Sequence, residues 1–465
     1  MAGIVICGGS VIGLCAGMML ARDGHEVTVL EGDPDGAPVT PDEAWAAWRR
    51  RGVAQFRQPH NLFARFREVA DRELPGLTDR LLAAGCVWVD FLDPLPPSIA
   101  DRAPRPGDER LRFITGRRPV VESVVATAAA EQPGLTVRRG VRVAGLVAGP
   151  SAVAGVPHVT GVRTTTGDEL PADLVVDATG RRTPAADWLT GIGARPPEVE
   201  AEDRGFVYYT RYFTGPRRPP RMGPTLMPAG SISVLTLDGD NDTWSVTLFG
   251  LSGDAPLKQL RSPDAFTRVV SALPLQAHWL DGAPLDGVLA MAGILDCHRS
   301  LVVDGDPIVT GYLAVGDAWA CTNPSAGRGL SVGLVQAQLL RTVVAAHLGD
   351  PATLATAFDE GIRAGVEYLY RSQVANDRFR VAEMRACAEG TPPPQADPVW
   401  STVQAVGMQD ADVFRAMVEV INCLAPARDV LGRPEIAEKL AGPPPAPPPP
   451  PPGPDRNRLL QLLAD

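Results

Sequence analysis

A glycine-rich turn close to the amino terminus, ICGGSVIG at 6–13, has residue types and spacing that suit phosphate binding. Apolar residues at 4–7 predict a buried strand before it, and residues 13–23 predict a helix after it. A second apolar strand at 26–30 leads into Glu31. In such a strand–helix–strand unit, free N–H groups at the start of the helix face a diphosphate, and the acid after the second strand accepts hydrogen bonds from a ribose. The stretch therefore predicts a dinucleotide-binding site.

The small residues of this turn each have a physical reason. Gly8 permits the tight turn, and Gly13 lets the helix pack closely on the first strand. Ser10 stands where the pattern usually has a glycine, but it is small enough to let a phosphate approach and can donate its hydroxyl. An α/β unit that binds no ligand is the alternative. The predicted dinucleotide contacts in this unit are Gly8, Ser10, Val11, Ile12, Gly13 and Glu31.

A second loop in the later half of the chain indicates which dinucleotide is bound. The strand LAVGDA at 313–318 ends in a Gly-Asp turn, and the glycine-rich loop CTNPSAGRG at 321–329 leads into an apolar helix over 330–347. Asp317 could bind a ribityl hydroxyl, and the helix N-terminus could stabilise the reduced anion of a flavin. These features favour FAD over NAD. The predicted contacts are Asp317, Pro324, Gly327, Gly329 and Leu330.

Three segments together resemble one family. They are GGSVIG with Glu31, DLVVDATGRRTP at 173–184 and GDAWACTNPSAGRGLS at 316–331. Their order and separations are similar to those of the FAD-dependent monooxygenases with the p-hydroxybenzoate hydroxylase fold, over nearly the whole chain. A narrower resemblance is to actinobacterial polyether epoxidases of the lasalocid and monensin type. It is carried by residues 52–85, beginning GVAQFRQPH, by ITGRRPVVESVV at 114–125, and by a Pro-rich tail that precedes a short helix.

The resemblance implies an α/β fold with a Rossmann-like FAD-binding domain, an inserted antiparallel-sheet substrate domain and C-terminal helices. The resemblance also implies the domain boundaries. They are 1–88, 112–185 and 295–347 for a discontinuous FAD-binding domain, 89–111 and 186–294 for the substrate domain, 348–441 for the helical region, 442–455 for a Pro-rich linker and 456–465 for a terminal helix.

The resemblance also implies further cofactor contacts. It puts Arg51 or a neighbour near the phosphates, Arg118 near the ribityl chain and the backbone of Val143 near the adenine. Gln55 and His60 are expected on the flavin or substrate side, and His60 is the candidate general acid, with a purely structural histidine as the alternative.

Arg328, in the second loop, is a third candidate catalytic residue. Its cation could favour reduced anionic flavin or bind an acidic group of the substrate. A surface ion pair is the alternative.

The activity that the resemblance implies is FAD-dependent monooxygenation, either hydroxylation or epoxidation, through a flavin C4a-(hydro)peroxide. The partners would be molecular oxygen and an apolar or aromatic small molecule of secondary metabolism. An alternating aromatic strand over 205–213 could line the substrate site, with Tyr208, Arg211 and Tyr212 as candidate contacts. Core packing is the alternative for the aromatics, and an ion pair or solvent exposure for Arg211.

The reductant is left open by one departure from the family. Family members that NADPH reduces directly carry an Asp-Gly pair where this chain has Thr179 and Gly180. NAD(P)H could therefore act directly or through a separate flavin reductase. An FAD-dependent reductase of the geranylgeranyl-reductase kind, which consumes no oxygen, and a non-catalytic flavoprotein are the alternative functions.

Composition excludes several other classes of protein. The chain has 465 residues and a net charge of −10, which disfavours binding to nucleic acid. Seven cysteines are scattered without a C-x-x-C pair, and six histidines lack metal-ligand spacing, so no metal site is expected. No leader or membrane-length apolar run is apparent, which favours a cytoplasmic enzyme.

Secondary structure elsewhere follows from local patterns. A hairpin is expected from the strands 231–237 and 243–249, a helix over 261–272, and helices throughout 350–440. Residues 456–464 predict a short amphipathic helix that docks either on its own domain or on a partner.

Overall fold

The computed structural model describes residues 1–202, 205–443, 445–446 and 451–464. Parts of the predicted linker and the final residue of the predicted terminal helix thus lie outside the described residues. The strands in chain order are β1 (Gly3–Cys7), β2 (Glu26–Glu31), β3 (Pro59–Leu62), β4 (Val87–Val89), β5 (Phe113–Arg117), β6 (Leu135–Arg139), β7 (Val143–Val153), β8 (Val156–Thr164), β9 (Glu169–Pro171), β10 (Leu174–Asp177), β11 (Glu198–Glu202), β12 (Phe206–Thr214), β13 (Leu226–Ala229), β14 (Ile232–Asp238), β15 (Thr243–Leu251), β16 (Ala283–Pro284), β17 (Leu289–Met291), β18 (Asp296–Ser300), β19 (Val302–Val303), β20 (Asp306–Pro307), β21 (Tyr312–Ala314) and β22 (Ala320–Cys321).

Helices connect and cover these strands. They are α1 (Val11–Arg22), α2 (Pro41–Ala46), α3 (Ala64–Glu73), α4 (Leu77–Ala83), α5 (Arg118–Ala130), α6 (Ala185–Gly191), α7 (Pro263–Ser271), α8 (Gly329–His347), α9 (Pro351–Gly365), α10 (Glu367–Glu389), α11 (Pro398–Gly407), α12 (Ala411–Ile421), α13 (Ala427–Leu431), α14 (Pro434–Leu440) and α15 (Arg456–Ala464).

A parallel five-stranded sheet with the strand order β21-β10-β1-β2-β6 forms the centre of the first layer. Both faces of β1 are buried, because Ile4 and Ile6 join the core beneath α1, α5 and α8, whereas Val5 and Cys7 join the core beneath β7, β8 and α6. Such two-sided burial explains the unbroken apolar run in the sequence. The predicted strand–helix–strand unit is confirmed, with boundaries shifted by at most two residues.

An antiparallel sheet with the order β13-β14-β15-β12-β16 forms the second layer. The predicted hairpin is confirmed as β14 and β15, and its turn carries Asn241 and Asp242 at positive φ angles of 48° and 53°. Short polar side chains tolerate that conformation. The helix predicted over 261–272 begins instead at Pro263, because proline suits the first helical position, and residues 255–261 form a 3₁₀ turn.

The C-terminal helices pack against both layers. Arg371 and Arg378 of α10 form ion pairs with Glu200 and Glu202 of β11, which hold this long helix against that strand. The terminal helix α15 docks on α7, where Leu459, Leu462 and Leu463 enter the core of the antiparallel layer. The structure therefore selects the first of the two alternatives for this helix: it binds its own chain.

One helix, α8, is long and apolar enough to cross a membrane by length and composition, although the sequence was expected to contain no such run. More than half of it, 56%, is buried inside the protein. Leu334, Ala337 and Leu340 belong to the core that α8 shares with α1, so its apolar character is accounted for by packing within the fold.

Candidate functional site

The first glycine turn has a geometry that no other residue type could adopt. Gly8 has a φ angle of +113°, and a Cβ atom there would lie 2.3 Å from the carbonyl oxygen of Ala178. A Cβ atom on Gly13 would lie 1.9 Å from the carbonyl oxygen of Gly8. Both distances are far below contact, so glycine is required, and the turn directs the start of α1 towards the cleft.

Ser10 precedes α1, but its side chain does not cap that helix. Its hydroxyl instead donates to Glu122 at 3.2 Å and accepts from Arg118 at 2.9 Å. The first N–H groups of α1 are therefore not capped by the Ser10 side chain. Uncapped N–H groups are what a helix needs in order to bind an anion at its N-terminus.

A buried ionic cluster surrounds Glu31 at the end of β2. The Glu31 carboxylate accepts from the N–H groups of Gly9 at 3.0 Å and Asp33 at 2.8 Å. Arg50 pairs with Glu31 at 2.5 Å, with Asp33 at 3.1 Å and also with Glu122. The sequence pointed to Arg51 or a neighbour here, and Arg50 is the buried member of that pair whereas Arg51 is exposed.

Two adjoining cavities together form one elongated cleft. A cavity of about 280 Å³ beside Glu31 and a cavity of about 150 Å³ beside Asp317 share the residues Gly52, Thr179 and Arg181. The cleft runs from the acid after the first βαβ unit to the start of α8. An elongated dinucleotide with an adenosine at one end and a ring at the other has this shape, so the residues present suit FAD.

Most of the predicted cofactor contacts line this cleft. Glu31 and Arg51 line its first part, and Arg142 does so where the sequence pointed to the adjacent Val143. Gly8 and Val11 are not among the residues that line the cleft; they belong to the glycine turn and to the start of α1, directly behind the cleft wall. The predicted residues that line the second part are Ser10, Ile12, Gly13, Gln55, His60, Arg118, Asp317, Pro324, Gly327, Gly329 and Leu330.

Asp317 is a half-buried carboxylate at the ring end of the cleft. Loss of hydration raises its pKa above the ordinary value, against the lowering effect of the Arg118, Arg181 and Arg299 guanidinium groups and of a hydrogen bond from Gln55. A carboxylate in such a setting is well placed to accept hydrogen bonds from a polyol. Gln55 thus acts on Asp317 as well as lining the cleft.

His60 is held as a neutral imidazole. Its Nδ1 lies 2.9 Å from the carbonyl oxygen of Gln58, which makes Nδ1 the protonated nitrogen and Nε2 the acceptor. Loss of hydration, followed by the nearby Arg118 cation, lowers the pKa of His60 to about 3. An imidazole with this pKa presents Nε2 as an acceptor near neutral pH, so the general-acid role expected from the sequence stays a prediction that the titration of His60 tests.

The loop before α8 is anchored by residues outside it. The Tyr208 hydroxyl of β12 donates to the Asn323 side chain, and the Asn323 N–H donates to Asp296 at 2.8 Å. Arg328 turns towards α10, where it donates to the Ser372 hydroxyl at 3.2 Å. This cation contacts a helix and does not line the cleft, which separates it from the other predicted catalytic residues.

The two faces of β12 have different surroundings. Tyr208 donates a hydrogen bond to Asn323 in the loop before α8, and Tyr212 packs edge-on against Trp45 with ring centroids 4.8 Å apart. Arg211 lies on the opposite face, where it donates to Thr267 of α7 at 3.1 Å. Strand alternation directs Arg211 to the face opposite Tyr208 and Tyr212, and its predicted substrate contact stays a prediction.

Several residues of the site carried no separate sequence signal. Asp177, fully buried, accepts from the N–H and hydroxyl of Thr179 at 2.8 and 2.6 Å and from Tyr312 at 2.8 Å. The segment DLVVDATGRRTP contains Asp177 and Thr179 but not Tyr312, and only the fold brings the three together, with Thr179 lining the middle of the cleft. Within the described ranges, no group of three or more His, Cys, Asp or Glu side chains could hold a metal ion.

No protein-family model matches the chain. Protein Rv3254 of Mycobacterium tuberculosis is 28% identical over 373 residues, which cover 74% of this chain and 73% of that protein. PqsL of Pseudomonas aeruginosa, described as a probable FAD-dependent monooxygenase, has a TM-score of 0.57 at 16% identity and covers 83% of this chain and 96% of its own.

Two further solved structures cover nearly the whole chain. The Diels-Alderase PyrE3 of pyrroindomycin biosynthesis has a TM-score of 0.58 at 17% identity, covering 91% of this chain and 81% of its own. OxyS, an anhydrotetracycline hydroxylase from Streptomyces rimosus, has a TM-score of 0.56 at 18% identity, covering 91% and 76%. The chain therefore has the α/β fold of the FAD-dependent monooxygenases of the p-hydroxybenzoate hydroxylase type.

Proposed function

We propose that this protein is an FAD-dependent monooxygenase that transfers one oxygen atom to an apolar or aromatic small molecule. The observation that carries the proposal is the single cleft that joins Glu31, beside the glycine turn, to Asp317 and the start of α8. The likeness to PqsL and OxyS, a probable FAD-dependent monooxygenase and a hydroxylase, supports it.

Residues along the cleft have distinct roles in holding FAD. The start of α1 and the exposed Arg51 bind the diphosphate, and Glu31 binds the adenosine ribose, with Arg142 beside it. Asp317 and Arg118 bind the ribityl chain. The residues Gly327, Gly329 and Leu330 present the start of α8 to the ring. Bound flavin supplies the activation of molecular oxygen, which side chains alone cannot perform.

The chain's own contribution to the reaction is to position the substrate and exclude water. Phe206, Tyr208, Phe249, Met291 and Ile294 form a continuous apolar cluster beside the loop that precedes α8. Such a wall binds an apolar or aromatic molecule and keeps the ring end of the cleft dry. Neutral His60 accepts a hydrogen bond at Nε2 and orients a hydroxyl or amine of the substrate.

Two finer assignments belong to this proposal. Residues 52–60, which resemble the polyether epoxidase segment, include Gln55, Gln58 and His60 on the cleft wall, and this favours epoxidation of an alkene as the specific reaction. Thr179, at the junction of the two cavities, replaces the acid of the directly reduced enzymes, and this favours a separate flavin reductase as the source of electrons. We place the enzyme in the cytoplasm and in secondary metabolism.

Oxygen consumption distinguishes the proposed monooxygenase activity from the rival reductase activity. Purified protein is loaded with FAD, supplied with a flavin reductase and NADPH, and given a panel of polyenes and phenols. The proposal predicts that one product carries one atom from labelled molecular oxygen. Substrate reduction without oxygen uptake would assign the reductase function instead. Anaerobic mixing with NADPH alone tests the reductant: unchanged flavin absorbance supports the two-component assignment, and direct bleaching overturns it.

A further inference from the structure

A buried hydrogen-bond triad joins the cofactor loop to α10. The Ser325 hydroxyl donates to Oδ1 of Asp377 at 2.6 Å. Gln373 lies one helical turn before Asp377 and donates from Nε2 to Ser325 at 2.7 Å and to Oδ2 of Asp377 at 3.0 Å. Asp377 is only 1% exposed and Gln373 2%, whereas Ser325 is half-buried.

Ser325 occupies a special place in the loop. Its neighbours Pro324 and Gly327 line the ring end of the cleft, whereas Ser325 points away from it towards α10. Gly327, at a φ angle of +70°, ends the short turn that Ser325 belongs to and leads into α8. A shift of Ser325 would therefore move the backbone that borders the ring end.

We propose that Asp377 is a positioning residue for the FAD-binding loop, and that protonation of its carboxylate loosens the loop and weakens FAD binding. This inference depends on the proposed function, since it takes FAD as the ligand of the cleft. Asp377 does not touch the cleft itself and acts through Ser325.

The hydrogen bonds define which charge state the triad needs. Both carboxylate oxygens of Asp377 accept, one from Ser325 and the other from Gln373, which is the pattern of an ionised group. A proton on Oδ2 would face the Gln373 donor and break that bond, whereas a proton on Oδ1 would force the Ser325 hydroxyl to turn and accept instead of donate. The loop would then lose a charge-assisted hydrogen bond.

The surroundings bring this titration close to neutral pH. Burial raises the pKa of Asp377 to about 7, while the hydrogen bonds from Gln373 and Ser325 oppose the rise. Charged and titratable groups that face it from the neighbouring elements are Asp296 of β18, whose carboxylate raises the pKa, Arg328 of the loop, which lowers it, and the Tyr208 phenol of β12.

The test compares FAD binding by wild type, Asp377→Asn and the control Glu389→Gln. Glu389 is an exposed acid at the end of the same helix, so its variant removes one charge without touching the triad. Apoprotein is titrated with FAD at pH 8 and pH 6, and the dissociation constant is read from quenching of flavin fluorescence. Circular dichroism confirms folding at both pH values.

The ratio of dissociation constants between Asp377→Asn and wild type is the readout. The inference predicts about a tenfold ratio at pH 8, where wild type has the ionised triad, and less than about twofold at pH 6, where both are neutral. Glu389→Gln should match wild type at both. A ratio that is the same at both pH values overturns the inference and leaves the proposed function standing. Failure of wild type to bind FAD at either pH overturns both.

Discussion

Arg117 at the end of β5 and Asp240 in the turn between β14 and β15 form a buried, two-pronged ion pair that joins the small antiparallel sheet β3-β5-β4 to the sheet that contains β14 and β15. Nε and Nη2 of Arg117 lie 3.0 and 2.6 Å from the Asp240 oxygens, and the Arg117 N–H donates to the same carboxylate at 2.7 Å. Both side chains are at most 4% exposed. Because the next residue, Arg118, lines the cleft, this pair also fixes one residue of the cleft wall.

Replacing Asp240 with Asn should destabilise the fold strongly. The substitution leaves the Arg117 cation buried without its counter-ion, which costs on the order of 3–5 kcal/mol. Chemical denaturation measures the free energy of unfolding. Glu169→Gln is the matched control, because the exposed pair of Arg163 and Glu169 is worth at most about 1 kcal/mol. Equal losses in the two variants would contradict the role given to Asp240.

A methyl group on Gly13 should abolish FAD uptake. Gly13→Ala puts a Cβ atom 1.9 Å from the Gly8 carbonyl oxygen, so the turn and the start of α1 must move apart. Overpacking of this kind costs on the order of 1–3 kcal/mol, and it also displaces the diphosphate site. Gly349→Ala is the control, because a Cβ atom there meets nothing within 4 Å. Normal FAD content in Gly13→Ala would show that α1 does not border the cofactor.

His60 should remain neutral across the physiological range. With a pKa of about 3 in the folded protein, the imidazole does not titrate between pH 5 and 8. Nitrogen-15 NMR of labelled histidine should show a constant Nδ1–H tautomer for the resonance that is missing in His60→Asn. A titration near pH 6.5 for that resonance would support the general-acid role.

The same group makes stability depend on pH in a defined direction. The folded-state pKa of His60 is depressed below the value of about 6.5 in the unfolded chain, so only the unfolded chain gains this proton as the pH falls. Its contribution to stability is complete above pH 6.5 and declines from there towards pH 3. In denaturation experiments, His60→Asn should therefore lose less stability than wild type between pH 7 and pH 5, and parallel losses would contradict the burial.

Removal of the terminal helix should weaken the antiparallel layer without emptying the cleft. Truncation before Arg456 exposes the surface that Leu459, Leu462 and Leu463 cover and breaks the ion pair between Arg456 and Asp254. Three buried leucines correspond to an upper estimate of about 5–9 kcal/mol, reduced by structure in the unfolded chain. Calorimetry should show a lower melting temperature, with FAD affinity unchanged.

The matched variant for this truncation is Arg458→Ala, which alters an exposed residue of the same helix. Its melting temperature should equal that of wild type. If the truncated chain also has the melting temperature of wild type, α15 does not dock on its own chain in solution.

Local sequence patterns predicted much of the fold. The turn at Gly8 and Gly13, the Gly-Asp turn before the second loop and the hairpin of β14 and β15 were predictable, because each depends on residues close together in the chain. The alternation in β12 predicted a strand but did not say which face meets the cleft. The pattern made Tyr208, Arg211 and Tyr212 all candidate contacts, and only the fold shows that Arg211 bonds to α7 whereas Tyr208 bonds to the loop before α8.

Contacts across long sequence separations carried no such signal. Arg50 reaches Glu122, Arg117 reaches Asp240 and Ser325 reaches Asp377, and each pair joins elements that are distant in the sequence. Charged residues in a sequence of this composition have many potential partners, so spacing cannot choose among them. These pairs are nevertheless what hold the walls of the cleft.

The most direct measurement of the central claim is the FAD stoichiometry of the purified protein after reconstitution. The chain is incubated with excess FAD, freed of unbound flavin and denatured, and the released flavin is quantified against protein. One FAD per chain, falling to near zero in Gly13→Ala, is the result that a cleft from Glu31 to Asp317 predicts. A colourless wild-type protein that releases no FAD would contradict it.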